Sequence, residues 1–219
     1  LERLLDRARN MARRCGPDAN PADNPGTVLG TILGVAARMG RDKATFFTSP
    51  DLEDFPNWIE QLLAESTGKS RTGILPVVGE PVSAPESYGE DRIFIFITRE
   101  EQSPEGPDMD QLRREGHPVL EIELSDRYDL GGQYFLWEFA TAVAGYFLNI
   151  HPFNQPNVES AKVRAREMVQ AYEEDGTLPP ADTAPFSQKA LFGFISEHRK
   201  KGSYIALQAF LPPTADVND

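Results

Sequence analysis

The sequence predicts an α/β fold in which helices cover both faces of a mainly parallel β-sheet. Short apolar runs rich in β-branched and aromatic residues, such as KATFFTS at 43–49 and RIFIFIT at 92–98, alternate with longer segments of helical apolar spacing. Strands that alternate with helices indicate βαβ units, whose consecutive strands are parallel. We therefore expect a three-layer αβα sandwich, a fold in which ligands bind at the carboxyl ends of the strands.

The first 40 residues predict two helices that pack on this core. Residues 1–14 combine apolar residues at helical spacing with several arginines, which indicates an amphipathic helix with a basic face. A second helix is expected to begin at Pro25 and end at Gly40, because proline favours the first helical position and glycine the end. Three glycines four residues apart form a stripe that another helix or strand can approach closely: Gly26, Gly30 and Gly34.

The remaining elements are expected to alternate along the core. Apolar spacing and chain punctuation predict helices over 55–65, 109–115, 130–149, 158–172 and 190–198, strands over 43–49, 92–98, 118–124 and 204–211, and a proline-rich linker over 176–185. Ser49 or Asp54 is expected to cap the helix that begins at Phe55. We expect a division into the N-terminal helices, 1–40, and a core, 41–219. The start at Leu1 inside a helical pattern favours a piece of a longer chain.

Composition and charge limit the classes of molecule that this chain is expected to bind. The chain has 219 residues, 40% of them hydrophobic, and a formal net charge of −12. This charge disfavours nucleic acids and anionic membrane surfaces, which bind clustered lysines and arginines, whereas a few local cations can still hold one small anion. No apolar run is long enough to span a bilayer. The one cysteine, Cys15, allows no internal disulfide, which favours a cytoplasmic location.

A carboxylate near the end of a helix is the first candidate catalytic group. Within AESTGK at 64–69, Glu65 ends an apolar helix, and Gln61 lies four residues earlier on the same face. One interpretation is a solvated polar face that ends in a helix C-cap at Gly68. The other makes Glu65 a general base, strengthened by packing against Trp58 or Leu62, while Gln61 donates a hydrogen bond to the substrate.

A second group of polar residues lies where a later helix begins. The segment FNQPNVESAK at 153–162 contains Gln155 and Lys162. One interpretation is a turn that caps a surface helix with Lys162 on its solvated side; the other has Gln155 and Lys162 at a phosphosugar, with Lys162 as the cation. Ser66 and Thr67 are further candidates, because their hydroxyls and the N–H groups of their turn can bind phosphate.

The sequence contains no pattern for a metal or a nucleotide cofactor. One cysteine and three dispersed histidines do not make a metal site, and neither a P-loop nor a GxGxxG motif occurs. We expect no cofactor. We interpret the histidines as structural, since the sequence indicates a partner for none of them: His117, His151 and His198.

The two motifs, in this order, resemble phosphoglucose isomerase, most closely the bacterial form fused behind a transaldolase domain. WIEQLLAESTGK, FNQPNVESAK, GRDKATFFTSP and GILPVVGEP carry the resemblance, which extends over essentially the whole chain. It implies a SIS-type, flavodoxin-like sandwich and interconversion of glucose 6-phosphate and fructose 6-phosphate through a cis-enediol. It also implies that Glu65 moves the proton between C1 and C2, that Gln61 matches a glutamine one turn before the base, and that Gln155 and Lys162 contact the sugar.

This sequence lacks several motifs of the family, which predicts that it holds only half of an active site. The Gly-Gly-Arg-Phe-Ser motif and the Ser/Thr loop that binds most of the phosphate belong to a preceding SIS subdomain, which this sequence lacks. The family also has a histidine shortly after GEP, whereas the segment GEPVSAPESYGED here contains none. We therefore expect the C-terminal SIS subdomain of a longer isomerase, with little or no activity by itself. Two alternatives stay open: a non-catalytic SIS module that binds a phosphosugar, and an interaction piece whose glycine stripe and basic helix dock on the missing subdomain.

Overall fold

The computed structural model describes residues 1–99, 102, 104, 106–154, 156–180, 183, 185, 187–200, 203 and 205. The helices in these residues are α1 (Glu2–Arg14), α2 (Pro25–Arg38), α3 (Phe55–Thr67), α4 (Met109–Arg114), α5 (Leu130–Leu148), α6 (Pro156–Asp175) and α7 (Gln188–His198). The strands are β1 (Lys43–Thr48), β2 (Leu75–Val77), β3 (Arg92–Arg99) and β4 (Val119–Leu124). None of these helices has both the length and the apolar character needed to cross a bilayer.

The chain divides into two compact units, Leu1–Ala161 and Lys162–Asp219. The first unit contains the four described strands and the helices α1 to α5. The predicted boundary after residue 40 lies inside this unit, so α1 and α2 belong to the same compact body as the sheet. The second unit contains α7 and most of α6.

The sheet of the first unit is parallel throughout the described residues, in the order β2-β1-β3-β4. Helix α3 connects β1 to β2 on one side, and α4 connects β3 to β4 on the other. Because right-handed crossovers that step in opposite directions leave the sheet on opposite faces, α3 and α4 cover different faces. This arrangement confirms the predicted α/β sandwich with a parallel sheet.

Alternation along β3 divides the core between the two faces of the sheet. Ile93, Ile95 and Ile97 join a large apolar cluster with residues of α2, α3 and α5. Phe94 and Phe96 join a smaller cluster that includes residues of α4. A strand buried on both faces is apolar at every position, which explains why RIFIFIT is continuously apolar instead of alternating.

The glycine stripe of α2 packs directly against α5, as its spacing predicted. A β-carbon on Gly30 would overlap the carbonyl oxygen of Ala140 and lie 2.6 Å from Cβ of Val143, and one on Gly34 would lie 2.7 Å from Cβ of Phe147. The hypothesis that this stripe docks on a missing subdomain is therefore wrong, because α5 already covers it. Helix α1 packs against the first turn of the same helix.

Three local predictions differ from the structure. Strand β2 was not predicted, because three residues with a central proline are too short to show a strand pattern. Neither Ser49 nor Asp54 caps α3: the Ser49 hydroxyl instead accepts a hydrogen bond from the Arg99 N–H at 3.0 Å, and the Asp54 side chain makes no capping bond. The strand predicted over 204–211 lies outside the described residues.

We expect Gly30→Ala to lower the free energy of unfolding by about 1–3 kcal/mol, because the added β-carbon must displace the backbone of α5. Urea denaturation measures this change. Gly132→Ala in α5 is the control, since a β-carbon there would lie 3.4 Å from the Arg7 carbonyl oxygen, an ordinary contact. The control is expected to leave stability unchanged or to raise it by up to about 1 kcal/mol through helix propensity. Equal stabilities for the two variants would contradict the observed packing of α2 on α5.

Candidate active site

The helix that carries Glu65 ends at the amino-terminal edge of the sheet. Since β1 and β2 are adjacent and parallel, α3 must return the chain from the carboxyl ends of the strands to their amino ends. Thr67, the last residue of α3, accepts a hydrogen bond at its hydroxyl from the N–H of Ile74, directly before β2, at 2.9 Å. The carboxyl ends of the strands, where ligands bind in sheets of this kind, therefore lie at the opposite edge from Glu65.

Gln61 and Glu65 form a polar pair on one face of α3. The Gln61 amide donates a hydrogen bond to Oε1 of Glu65 at 3.2 Å, and both residues are exposed. The expected burial of Glu65 is not observed. The helix ends as predicted, because the N–H of Gly68 bonds to the Ala64 carbonyl at 3.0 Å. An exposed carboxylate held by a neighbouring amide can take a proton from a ligand that approaches from solvent.

The two hydroxyl residues of the same motif have different environments. Thr67 is 0% exposed, and its hydroxyl donates to the Leu63 carbonyl at 2.7 Å while accepting from the Ile74 N–H. This hydroxyl fixes the end of α3 to the start of β2, which conflicts with the expectation that it binds phosphate. We assign Thr67 a structural role. Ser66 is half-buried and remains a candidate for phosphate binding.

Lys69 joins the AESTGK motif to the turn directly before FNQPNVESAK. It is only 6% exposed, and its Nζ donates hydrogen bonds of 2.9 Å to the carbonyls of both His151 and Pro152. These carbonyls lie directly before FNQPNVESAK. Burial lowers the pKa of Lys69, because the charged ammonium loses contact with water. This role was not predictable from the sequence, since a lysine in a Ser-Thr-Gly-Lys turn has the same local pattern whether it is solvated or enclosed.

The turn that accepts these bonds is itself fixed by the end of α5. Asn149 takes the left-handed conformation, with φ at 56°, and the N–H of Ile150 bonds to the Gly145 carbonyl at 3.0 Å. The Pro152 ring packs against Gly145, where a β-carbon would lie 3.0 Å from the ring. The positions of the two carbonyls therefore depend on α5 as well as on Lys69.

The contacts of the two candidate residues of FNQPNVESAK, Gln155 and Lys162, are less well defined. Gln155 lies outside the described residues. Lys162 is an exposed residue of α6 and belongs to the second unit. The roles of both side chains at a substrate stay predictions.

Each of the three histidines contacts a backbone group. Nε2 of His117 is 3.3 Å from the Pro85 carbonyl oxygen, Nδ1 of His151 accepts from the Phe153 N–H at 3.2 Å, and Nδ1 of His198 is 2.9 Å from the Phe194 carbonyl oxygen. Within the described part of the chain, no three His, Cys, Asp or Glu side chains are grouped so that they could hold a metal ion.

Two clefts of similar size differ in charge. The one at the carboxyl ends of β1 and β2, about 560 Å³, is lined by Glu53, Asp54 and Glu80. Among the described residues no lysine or arginine lines it, so it fits a phosphate ester poorly. The one at the amino-terminal edge, about 590 Å³, is lined by Arg38, Thr72 and residues at the end of α5. The edge that carries Glu65 and Lys69 therefore also offers a cation beside open space.

Several known proteins with similar sequences carry the same name. The chain is 29% identical over 151 residues to a glucose-6-phosphate isomerase from Pediococcus pentosaceus, covering 52% of this chain and 34% of that protein. It is 28% identical over 167 residues to the protein of the same name from Limosilactobacillus reuteri, covering 58% of this chain and 37% of that protein. The chain thus spans about a third of the length of these relatives. No protein-family model matches it.

Solved structures with a similar fold include two proteins, and the alignment covers about half of each of them. A hypothetical protein, TT0462 from Thermus thermophilus, aligns with a TM-score of 0.64 at 21% identity, covering 77% of this chain and 50% of that one. A glucose-6-phosphate isomerase from Chlamydia trachomatis aligns with a TM-score of 0.54 at 15% identity, covering 89% and 46%. These likenesses show the fold alone. Similarity to proteins named glucose-6-phosphate isomerase is confirmed, whereas the transaldolase fusion stays a prediction.

We expect Lys69→Met to lower the free energy of unfolding by about 1–3 kcal/mol at neutral pH, because the carbonyls of His151 and Pro152 lose a buried, charged donor. Chemical denaturation measures the loss. Arg114→Met is the control, since Arg114 is an exposed cation of the same unit, and its replacement should change stability by less than about 0.5 kcal/mol. If the two variants were equally stable, the bridge would contribute nothing measurable.

The unsubstituted protein and Lys69→Met should also differ in how their free energy of unfolding changes with pH. The pKa of Lys69 is lower in the folded protein than in the unfolded chain, so between these two values the unfolded chain binds the extra proton and stability rises with pH. The stability difference between the unsubstituted protein and Lys69→Met should therefore grow as the pH approaches the ordinary lysine value of about 10.4. A difference that stays constant or shrinks would contradict the lowered pKa.

Proposed function

We propose that this chain is part of a glucose-6-phosphate isomerase, which interconverts glucose 6-phosphate and fructose 6-phosphate through a cis-enediol. Its similarity to proteins of that name over half of its length supports the proposal. The observation that carries it is the Lys69 bridge, because these two hydrogen bonds join the segment of Glu65 to the turn before FNQPNVESAK. The AESTGK segment and the turn before FNQPNVESAK thus meet at one edge of the sheet.

In this proposal Glu65 is the general base. Its carboxylate takes the proton from C2 of the open-chain aldose, the electron pair of that C–H bond forms the C1–C2 double bond, and O1 gains a proton to give the enediol. Loss of the proton on O2 and return of a proton to C1 then gives the ketose. Gln61 orients the carboxylate through its 3.2 Å hydrogen bond and acts as a positioning residue.

The remaining polar residues would hold the substrate. Gln155 and Lys162 are proposed to contact the sugar, with Lys162 as the cation, and Ser66 to bind phosphate through its hydroxyl. Because Glu65 is exposed, the exclusion of water that favours proton transfer must come from the bound substrate or from another part of the enzyme.

A preceding SIS subdomain in the same polypeptide is proposed to supply that cover and the phosphate-binding loop. The large apolar side chains exposed at the amino-terminal edge include Met39 at 77%, Tyr146 at 80% and Phe153 at 78%. Exposed apolar patches beside polar groups are typical of interaction sites. A transaldolase domain ahead of that subdomain, and a cytoplasmic location, belong to the same proposal and rest on the motif resemblance and on the single cysteine.

Exchange of the C2 hydrogen tests the role of Glu65. The chain is incubated in water with glucose 6-phosphate deuterated at C2, and the loss of deuterium is followed by NMR. We expect slow exchange, which Glu65→Gln reduces by about 10²–10⁴-fold, the contribution typical of a general base. Glu60→Gln, an exposed glutamate of the same helix, is the control and should exchange at the unsubstituted rate.

Equal exchange in the two variants would exclude Glu65 as the base. Binding of 5-phosphoarabinonate, a mimic of the enediol, without any exchange would favour the non-catalytic phosphosugar module instead. Turnover by these 219 residues at the rate of a complete isomerase would contradict the proposal that they hold only half of a site.

A further inference from the structure

We propose that Arg71 binds the phosphate group of the sugar phosphate, and that the strained turn that carries it is retained because it presents this cation beside Glu65. The inference rests on the proposed function, since it adds a substrate-binding residue to the same site. Arg71 lies two residues after Lys69, in the connection between α3 and β2. Three features of this connection support the assignment: its geometry, its position and its charge.

Ser70 and Arg71 form a two-residue turn in which both residues have the left-handed backbone conformation. Their φ angles are 55° and 63°, and Lys69 and Thr72 on either side exchange two backbone hydrogen bonds of 3.0 Å each. Turns with two positive φ angles strongly prefer Asn-Gly or Gly-Gly, because a residue with a β-carbon is strained there. For folding alone, an arginine is therefore an unfavourable residue at the second position.

This strain lies at the two ends of the Lys69 bridge. Among the described residues, those other than glycine with a positive φ are Ser70, Arg71 and Asn149. The first two directly follow Lys69, and Asn149 lies two residues before His151, whose carbonyl accepts a hydrogen bond from Nζ of Lys69. Strained residues cluster at catalytic and ligand-binding sites, where the surrounding structure holds a side chain in place in spite of the strain. The distribution of strain therefore points to the amino-terminal edge as a functional site.

A phosphosugar at this edge needs a cation that is not already bonded to the protein. The carboxylate of Glu65 and the carbonyl end of α3 both repel a phosphate group. Lys69 is enclosed, and its ammonium is bonded to two backbone carbonyls. Arg71 is exposed and makes no ion pair or side-chain hydrogen bond within the described part of the chain. Its guanidinium can therefore bind a phosphate through two parallel hydrogen bonds.

A competing explanation is that Arg71 only stabilises the end of α3. A cation near the carboxyl end of a helix interacts favourably with the last carbonyls, and Arg71 lies just beyond Thr67, the last residue of α3. In that case, removal of the charge lowers stability and leaves ligand binding unchanged. Substitutions that separate the backbone strain from the charge distinguish this explanation from the proposal.

The test is the affinity for 5-phosphoarabinonate, measured by calorimetry, together with the melting temperature of the ligand-free chain. Arg71→Gln removes the charge and keeps the strain, Arg71→Gly removes both, and Ser70→Gly relieves strain in the same turn and keeps the charge. We expect the affinity to fall about tenfold in both Arg71 variants and to stay unchanged in Ser70→Gly. The melting temperature should rise by about 2–4 °C in both glycine variants and stay unchanged in Arg71→Gln.

D-Arabinonate, which lacks the phosphate, shows which group of the ligand Arg71 binds. The ratio of the affinities for 5-phosphoarabinonate and D-arabinonate should fall about tenfold in Arg71→Gln, because only the phosphate loses a contact. An unchanged ratio would overturn the assignment to the phosphate.

Other results would also overturn the proposal. These are the absence of binding at millimolar 5-phosphoarabinonate, equal affinities in Arg71→Gln and Ser70→Gly, or a melting temperature that rises in neither glycine variant. The readout is binding and needs no turnover, so it is separate from the role of Glu65. A loss of affinity in Arg71→Gln without any exchange at C2 would support this inference and contradict the isomerase proposal, whereas exchange that depends on Glu65 with unchanged affinity in Arg71→Gln would do the reverse.

Discussion

One buried ammonium holds the amino-terminal edge of this protein together. Nζ of Lys69 bonds to carbonyls that lie 82 and 83 residues further along the chain. Desolvation of the ammonium opposes the bridge, while two charge-assisted hydrogen bonds favour it. The geometry of the Glu65 region therefore depends on a contact whose two ends come from distant parts of the sequence.

The fold was predictable because its signals are local. RIFIFIT is apolar throughout since β3 is buried on both faces, and the spacing of Gly30 and Gly34 indicated a close neighbour before that neighbour was known to be α5. Strand β2 escaped prediction because it is three residues long and consists of Leu, Pro and Val. Its pairing with β1, and not its own residues, makes it a strand.

The candidate site was only partly predictable, because burial and long-range contacts decide what a polar side chain does. Glu65 and Gln61 were expected to share a helix face, and they do. Thr67 and Lys69, which follow in the same motif, are enclosed, and each bonds to backbone groups outside α3.

The contact between α2 and α5 affects how this protein tolerates change over evolution. The distance between these helices is set by the backbone at Gly30 and Gly34 and by the backbone and β-carbon atoms of α5 that face it, and not by large side chains that could repack. Both helices end at the amino-terminal edge, where Arg38 and the turn at His151 lie. Apolar residues elsewhere in the core can therefore exchange for others of similar volume without shifting that edge, so sequences can diverge widely while its geometry is preserved.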